Sequence, residues 1–325
     1  MYDNLYSRAL FFERMNKHFL DINDLNLDEL EGIIENSLSL KGNNKYSEIL
    51  KGKFLGLIFE KSSTRTRVSY EEGMTHLGGK ASFLSTNDLQ LGRGEPIEDT
   101  AKVLSSMLDG LVLRTLDHQT QVDFAKNSSV PIINGLSNKS HPCQILADLM
   151  TYYEEKGSIK GKKVAWCGDF NNVCFSYAQA AELFDFDLWI ACPDEFSPKE
   201  SLHLPNVHFT NSVEEAVADS DVISTDVWVS MGDENQAAER QAAFLDYQVN
   251  ESLLDQAKKD VIFLHCLPAV RGQEISENIF EVSLISLSVL IAFASKPTVQ
   301  KLFCFNNNKF ARLKTKSHYF NLPFN

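Results

Sequence analysis

Residues 54–79 read FLGLIFEKSSTRTRVSYEEGMTHLGG, and their pattern decides the fold class. The first six form a short apolar run of strand length. Ser and Thr then open a segment that carries Glu71 and Glu72 and closes on Gly78 and Gly79, the start and stop signals of a helix. The unit is strand, tight turn, helix. Upstream, residues 28–40 place Leu30, Ile33, Ile34 and Leu38 at helical intervals, so a helix precedes the buried strand.

The same grammar recurs downstream. Residues 110–114, 130–133, 163–167, 188–191, 222–225 and 261–265 are short apolar runs separated by helix-compatible stretches. Alternation of this kind predicts an α/β fold, here two doubly wound parallel-sheet domains joined by interdomain helices. Residues 144–156 (QILADLMTYYEEK) form one predicted helix, and GSIKGKK and a fresh strand follow it, which sets a boundary near Lys156. The domains are therefore drawn at 1–156 and 157–280, with an atypical tail over 281–325.

A chain of 325 residues with 43% hydrophobic content can bury two cores of ordinary size. The net charge of -13 and pI near 5.1 exclude a nucleic-acid partner, since displacing phosphate counterions needs a basic field. An anionic substrate must then be held by a local cluster of arginines. The opening MYDNLYSRALFFERMNKHFL has no apolar core behind a basic end, so no signal peptide is predicted and a cytoplasmic location is expected. Cys143, Cys167, Cys174, Cys192, Cys266 and Cys304 have no paired C-x-x-C spacing and are expected as free, mostly buried thiols. The apolar run at 282–294 is broken by serines and shorter than the roughly 20 residues of a membrane span, so a core segment is expected there and no membrane partner.

Several motifs fall at predicted strand ends. Ser63, Thr64, Arg65 and Thr66 lie where a strand gives way to a helix, and backbone N–H groups, hydroxyls and a guanidinium suit a phosphate there. The alternative for the same residues is a Ser/Thr cap with solvated arginines. Arg114 ends an apolar strand, and His141 and Gln144 stand in a loop feeding a helix. Ligands of open α/β sheets bind outside the carboxyl ends of strands, so these groups can converge on one small anion. After the strand at 163–167 the turn holds one glycine, Gly168, and lacks G-x-G-x-x-G, which discounts a dinucleotide cofactor. Asn171 and Asn172 can simply shape that turn. Asp226, also at a strand end, can attract an ammonium group or cap the next helix. Cys266 follows another strand and reads equally as a small buried hydrophobe.

Taken in order, FEKSSTRTR, LGRGEP, HPCQ, GDFNN, DVWVSMG and HCLP resemble the transcarbamoylases, specifically the ornithine branch, over about residues 17–280. The resemblance implies that Ser63, Thr64, Arg65 and Thr66 hold the phosphate of carbamoyl phosphate while Arg114, His141 and Gln144 grip its carbamoyl end. It implies that Gln90 reaches a neighbouring subunit's site, hence a homotrimer. Asn172, Asp226, Ser230 and Met231 match positions that bind L-ornithine, with Cys266 and Leu267 beside the reacting amine. Arg114, His141, Asp226 and Cys266 are then the catalytic set. The implied chemistry is direct attack of the amine on the carbamoyl carbon with no cofactor and no metal.

After Phe280 the resemblance stops, and a Glu-Asn-Arg motif expected of the family is missing. Residues 281–325 hold one acid, Glu281, against six Lys or Arg, while the whole chain holds 44 acids against 31 Lys or Arg. The tail is read as foreign or frame-shifted. Three readings follow: an ornithine carbamoyltransferase, a catalytically impaired protein that keeps the carbamoyl phosphate pocket, and a carbamoyltransferase for another amine such as putrescine.

Overall fold

The computed structural model describes residues 17–42, 48–86, 89–199, 204–230, 234–280, 289–290 and 304–305. Its first half alternates helices α1 (Leu27–Gly42), α2 (Thr64–His76), α3 (Ile97–Met107), α4 (His118–Asn127) and α5 (Pro142–Lys156) with strands β1 (Phe54–Phe59), β2 (Lys80–Ser85), β3 (Gly110–Arg114) and β4 (Ile132–Leu136). The strands form one parallel sheet in the order β2-β1-β3-β4. Gly157 ends α5 with φ of 81°, and the second half begins at β5 (Lys163–Cys167). α6 (Asn172–Phe184), β6 (Asp187–Ala191), β7 (Val207–Thr210), β8 (Val222–Thr225) and β9 (Ile262–His265) follow, with the strand order β7-β6-β5-β8-β9, again all parallel.

Each sheet has one place where successive connections leave in opposite directions. It lies between β1 and β3 in the first sheet and between β5 and β8 in the second. Such switch points open a crevice outside the strands' carboxyl ends, the usual ligand position in this architecture. Helices cover the faces, and every residue of the central strands β3 and β8 and of the edge strand β9 is buried. One hydrophobic cluster, including Tyr70, Leu146, Trp166 and Ile223, runs through both halves, and a smaller one around Leu113 and Phe124 fills the other face of the first sheet.

The predicted strands at 54–59, 110–114, 163–167 and 222–225 have the observed bounds. The run predicted at 130–133 instead pairs from Ile132 to Leu136, and the helix predicted from 144 starts at Pro142, whose missing N–H suits the first helical position. Beyond Phe280 only Val289–Leu290 and Cys304–Phe305 are described, as a short antiparallel pair. The remainder of the 281–325 tail, and with it most of the core segment expected at 282–294, lies outside the described residues. No helix among the described residues is long and apolar enough to cross a membrane.

Candidate active site

The first switch point gathers cations. Arg114 is the last residue of β3, and its register shifts against β4: Leu113 pairs with Asn134 but Arg114 pairs with Leu136. The extra residue is Gly135, where a Cβ would meet Val112 Cγ1 at 3.0 Å and the Leu113 carbonyl oxygen at 3.2 Å. Glycine thus permits an irregularity at the point where the arginine leaves the sheet. Arg114 is 7% exposed, and its Nε is buried without a partner. Burial, and then the charge of Arg65, push its guanidinium down to about 10, so it remains a cation at neutral pH.

Arg65 is exposed in the first turn of α2, beside Thr66, which is buried. Ser63 occupies the N-cap position with extended backbone but makes no side-chain cap bond, and Thr64 is exposed. The N–H groups of that first turn are left to an outside acceptor, with the positive end of the helix dipole behind them.

His141 is the N-cap of α5, and it too makes no side-chain cap bond. Its backbone N–H donates to Ser176 Oγ at 2.8 Å, while its Nδ1 is buried and unpartnered. Burial, and then Arg114, push this imidazole down to about 3 and keep it neutral. Gln144, one turn later, donates from Nε2 to Asp148 Oδ1 at 3.0 Å.

The second switch point is organised around a carboxylate. Asp226 leaves β8, and its Oδ1 accepts from Val227 N at 2.8 Å and from Cys266 Sγ at 3.0 Å. Its Oδ2 accepts from Asn171 Nδ2 at 2.8 Å. Asn171 also caps α6, with Oδ1 accepting from Val173 N and Cys174 N. Asn171 was not among the predicted site residues, although Asn directly before a helical run is a legible N-cap signal. Asn172 Nδ2 donates to the Ser137 carbonyl at 2.6 Å, joining the two halves. The turn between β5 and α6 is braced by an ion pair of Asp169 with Arg240 at 2.9 Å, a contact the sequence did not announce.

Cys266 follows β9. Burial, and then Asp226, hold its thiol well above the usual range, with Arg65 acting in the opposite direction. Arg114 in turn feels Cys266. The loops at the carboxyl ends of the two sheets are joined directly by the hydrogen bonds of His141 N to Ser176 Oγ and of Asn172 Nδ2 to the Ser137 carbonyl. Leu267 adopts a left-handed backbone, φ 54°, and donates its N–H to His265 Nδ1 at 2.9 Å. His265 Nε2 lies 3.2 Å from Glu274 Oε1. Ser230 is partly exposed in the loop after β8, and Gln90 is exposed in the single turn Gln90–Arg93. Met231 lies outside the described residues.

Asp226, His265 and Cys266 are the one trio among the described residues whose ligand atoms, all within 4.8 Å of one another, could hold a metal. Both His265 nitrogens are already engaged, and the thiol donates to the carboxylate. The trio is thus hydrogen-bonded as it stands. Five cysteines have the expected thiol state: Cys143, Cys167, Cys174 and Cys192 are buried and free, and Cys266 is free and partly exposed.

Two parallel sheets, one with buried unpartnered polar atoms at its switch point and one with a hydrogen-bonded carboxylate, define a two-domain α/β protein with its candidate site at the strands' carboxyl ends. The chain belongs to the aspartate/ornithine carbamoyltransferase family. The family's carbamoyl-P binding domain matches residues 17–154 and its Asp/Orn binding domain residues 160–287. The anabolic ornithine carbamoyltransferase of Pseudomonas aeruginosa is 52% identical over 271 residues, covering 82% of this chain and 89% of that one. The ornithine carbamoyltransferase of Pseudomonas syringae pv. tomato is 53% identical with the same coverage. The solved structure of the ornithine carbamoyltransferase from Pyrococcus furiosus superposes with a TM-score of 0.80 at 40% identity, covering 88% of this chain and 94% of that one.

Proposed function

We propose that the protein transfers the carbamoyl group of carbamoyl phosphate to the side-chain amine of L-ornithine, giving citrulline and phosphate. Residues 1–156 are the carbamoyl phosphate-binding domain and residues 157–280 the ornithine-binding domain. One observation carries the reading: unpartnered Arg114 Nε and His141 Nδ1 stand at one switch point, and Asp226 stands at the facing one. Ser63, Thr64, Arg65 and Thr66 take the phosphate, and Gln144, Arg114 and His141 take the carbamoyl group. Asp226, with Asn172, Ser230 and Met231, takes the amino acid and attracts its ammonium.

The neutral amine attacks the carbamoyl carbon beside Cys266 and Leu267. The tetrahedral oxyanion forms against Arg114 and His141, the C–O bond to phosphate breaks, and the extra proton of the attacking nitrogen leaves with the phosphate. A preorganised donor aimed at such charge supplies roughly 3 to 4 kcal/mol. Neutral His141 suits this role when its proton faces the oxyanion. The protein acts in the cytoplasm as a homotrimer, with the exposed Gln90 reaching a neighbouring subunit.

A second reading, a pocket that binds carbamoyl phosphate but turns over slowly, is favoured by the end of the family match at residue 287. A citrulline assay on the purified full-length protein tests both readings, with competing putrescine as a control on the acceptor. Citrulline formation that residues after Phe280 of a family-like chain raise more than tenfold supports a slowed enzyme. Carbamoyl phosphate binding with no citrulline in either form rejects the transfer reading.

A further inference from the structure

Gln144 is 7% exposed, and the group it donates to, Asp148, lies one helical turn further along α5 and is 3% exposed. The other carboxylate oxygen of Asp148 accepts from the Tyr177 hydroxyl of α6 at 2.8 Å, across the junction between the halves. A carboxylate only accepts, whereas a primary amide has a donating end and an accepting end. Asp148 therefore dictates that the amino end of Gln144 turns toward it. The amide's remaining group is Oε1. This matters because the other groups at this switch point are donors: Arg65, Arg114 and the open N–H groups of α2. At an exposed helix surface such an i,i+4 pair would fix little. Buried, with the second oxygen already held by Tyr177, it sets the amide in one sense.

We propose that Asp148 is a positioning residue that holds the Gln144 amide with Oε1 toward the pocket, so that the site selects an acyl phosphate carrying N–H donors over one of equal size carrying a methyl group. The inference rests on the reading of this pocket as a carbamoyl phosphate site. A site arranged around a hydrogen bond rejects an analogue that lacks the donor, because a buried acceptor is left unpaired.

Phosphonoacetamide and acetonylphosphonate are stable probes that differ only in NH₂ against CH₃, and inorganic phosphate reports the anion subsite alone. Titration calorimetry on the full-length protein is expected to give at least a tenfold preference for phosphonoacetamide. Asp148→Asn, of equal size but able to offer Gln144 an N–H, should cut that preference below threefold while phosphate affinity stays unchanged. Tyr177→Phe leaves the carboxylate on Gln144 and should keep the preference, which separates amide orientation from loss of the bond between halves. Equal affinity of the wild type for the two analogues, or an undiminished preference in Asp148→Asn, overturns the inference and leaves phosphate binding and citrulline formation standing. The wild-type comparison decides even where Asp148→Asn does not fold. Failure of the wild type to bind any of the three probes overturns the carbamoyl phosphate reading together with the inference.

Discussion

The helices that begin at Thr64 and at Asn172 start from equivalent places, each directly after the strand at the switch point of its sheet, yet their N-termini are finished differently. Ser63 makes no cap bond, whereas Asn171 takes two backbone N–H groups and holds Asp226 as well. Side chains divide the same way. Around the first switch point Arg114 Nε and His141 Nδ1 are buried and unpartnered; around the second, Asp226 accepts from three donors. An orphaned buried polar group costs about 1 to 3 kcal/mol, so the first pocket holds destabilising groups that an outside anion would satisfy. The second pocket holds its own shape before any ligand arrives. One region is arranged for binding at the expense of stability, and the other keeps its geometry through internal bonds.

The strongest test of that contrast is Arg114→Met. It removes a buried cation that Arg65 repels, so anion affinity should fall more than a hundredfold while the unliganded protein melts at a higher temperature. Asp226→Asn should do the opposite to stability, lowering it by about 1 to 2 kcal/mol, and should weaken ornithine far more than phosphate. Calorimetry and thermal melts of both variants check the pair of signs. A drop in melting temperature for both would erase the contrast.

Protonation offers a second test. His141 is held down to about 3 from an ordinary value of 6.5, so between these values the unfolded chain binds a proton that the folded chain does not. Stability therefore rises with pH across that window and is lost as pH falls below 6.5, by at most about 1.4 kcal/mol per pH unit. Urea unfolding at pH 7.0 and 5.5 should show a steeper loss in the wild type than in His141→Gln. Identical slopes would mean that the ring is not kept neutral by burial and Arg114.

A smaller effect separates the two helix starts directly. Asn171→Ala removes a working cap and a tether to Asp226, and should cost about 1 to 2 kcal/mol of stability. Ser63→Ala removes no cap bond and should leave stability within about 0.5 kcal/mol, yet weaken phosphate binding by several fold. If the two variants were equally destabilised, the open character of the first helix start would be refuted.

The same division explains what could be seen in the sequence. Central strands announce themselves because helices bury both their faces, and β1, β3, β5 and β8 were bounded correctly from apolar runs alone. β2 (KASFLS) and β7 (VHFT) went unseen. They are edge strands with little fully buried surface, and edges tolerate the polar residues that hide a strand. Among site residues, Arg65, Arg114, His141 and Asp226 were legible because chemistry at a strand end stands out. The bond of Asn171 to Asp226, the role of Asp148 and the Asp169–Arg240 pair were not, since each acts through a neighbour distant in sequence or buried within a helix. The shift to Ile132–Leu136 depends on Gly135 and the irregularity at Arg114, which no local pattern reveals.

The smallest expected effect concerns Cys266, where chemical reactivity and satisfied packing predict different outcomes. Its thiol is pushed well above its usual range by burial and by Asp226, to which it donates at 3.0 Å. A thiol in that setting is a hydrogen-bond donor; nucleophilic cysteines are found where cations or helix N-termini lower the value instead. Serine keeps a donor of similar size in the same place. Cys266→Ser should therefore change ornithine affinity and citrulline formation by no more than about threefold, corresponding to roughly 0.6 kcal/mol. A nucleophile replaced by serine would lose activity by orders of magnitude, as weak attack by a hydroxyl without a base demands. Alkylation by iodoacetamide at pH 8 gives an independent reading: slow modification of Cys266 in the folded protein, compared with the unfolded chain, agrees with a thiol held by Asp226. Rapid alkylation together with a large loss in Cys266→Ser would make the second pocket reactive, and the division between an open first site and a self-satisfied second one would no longer hold.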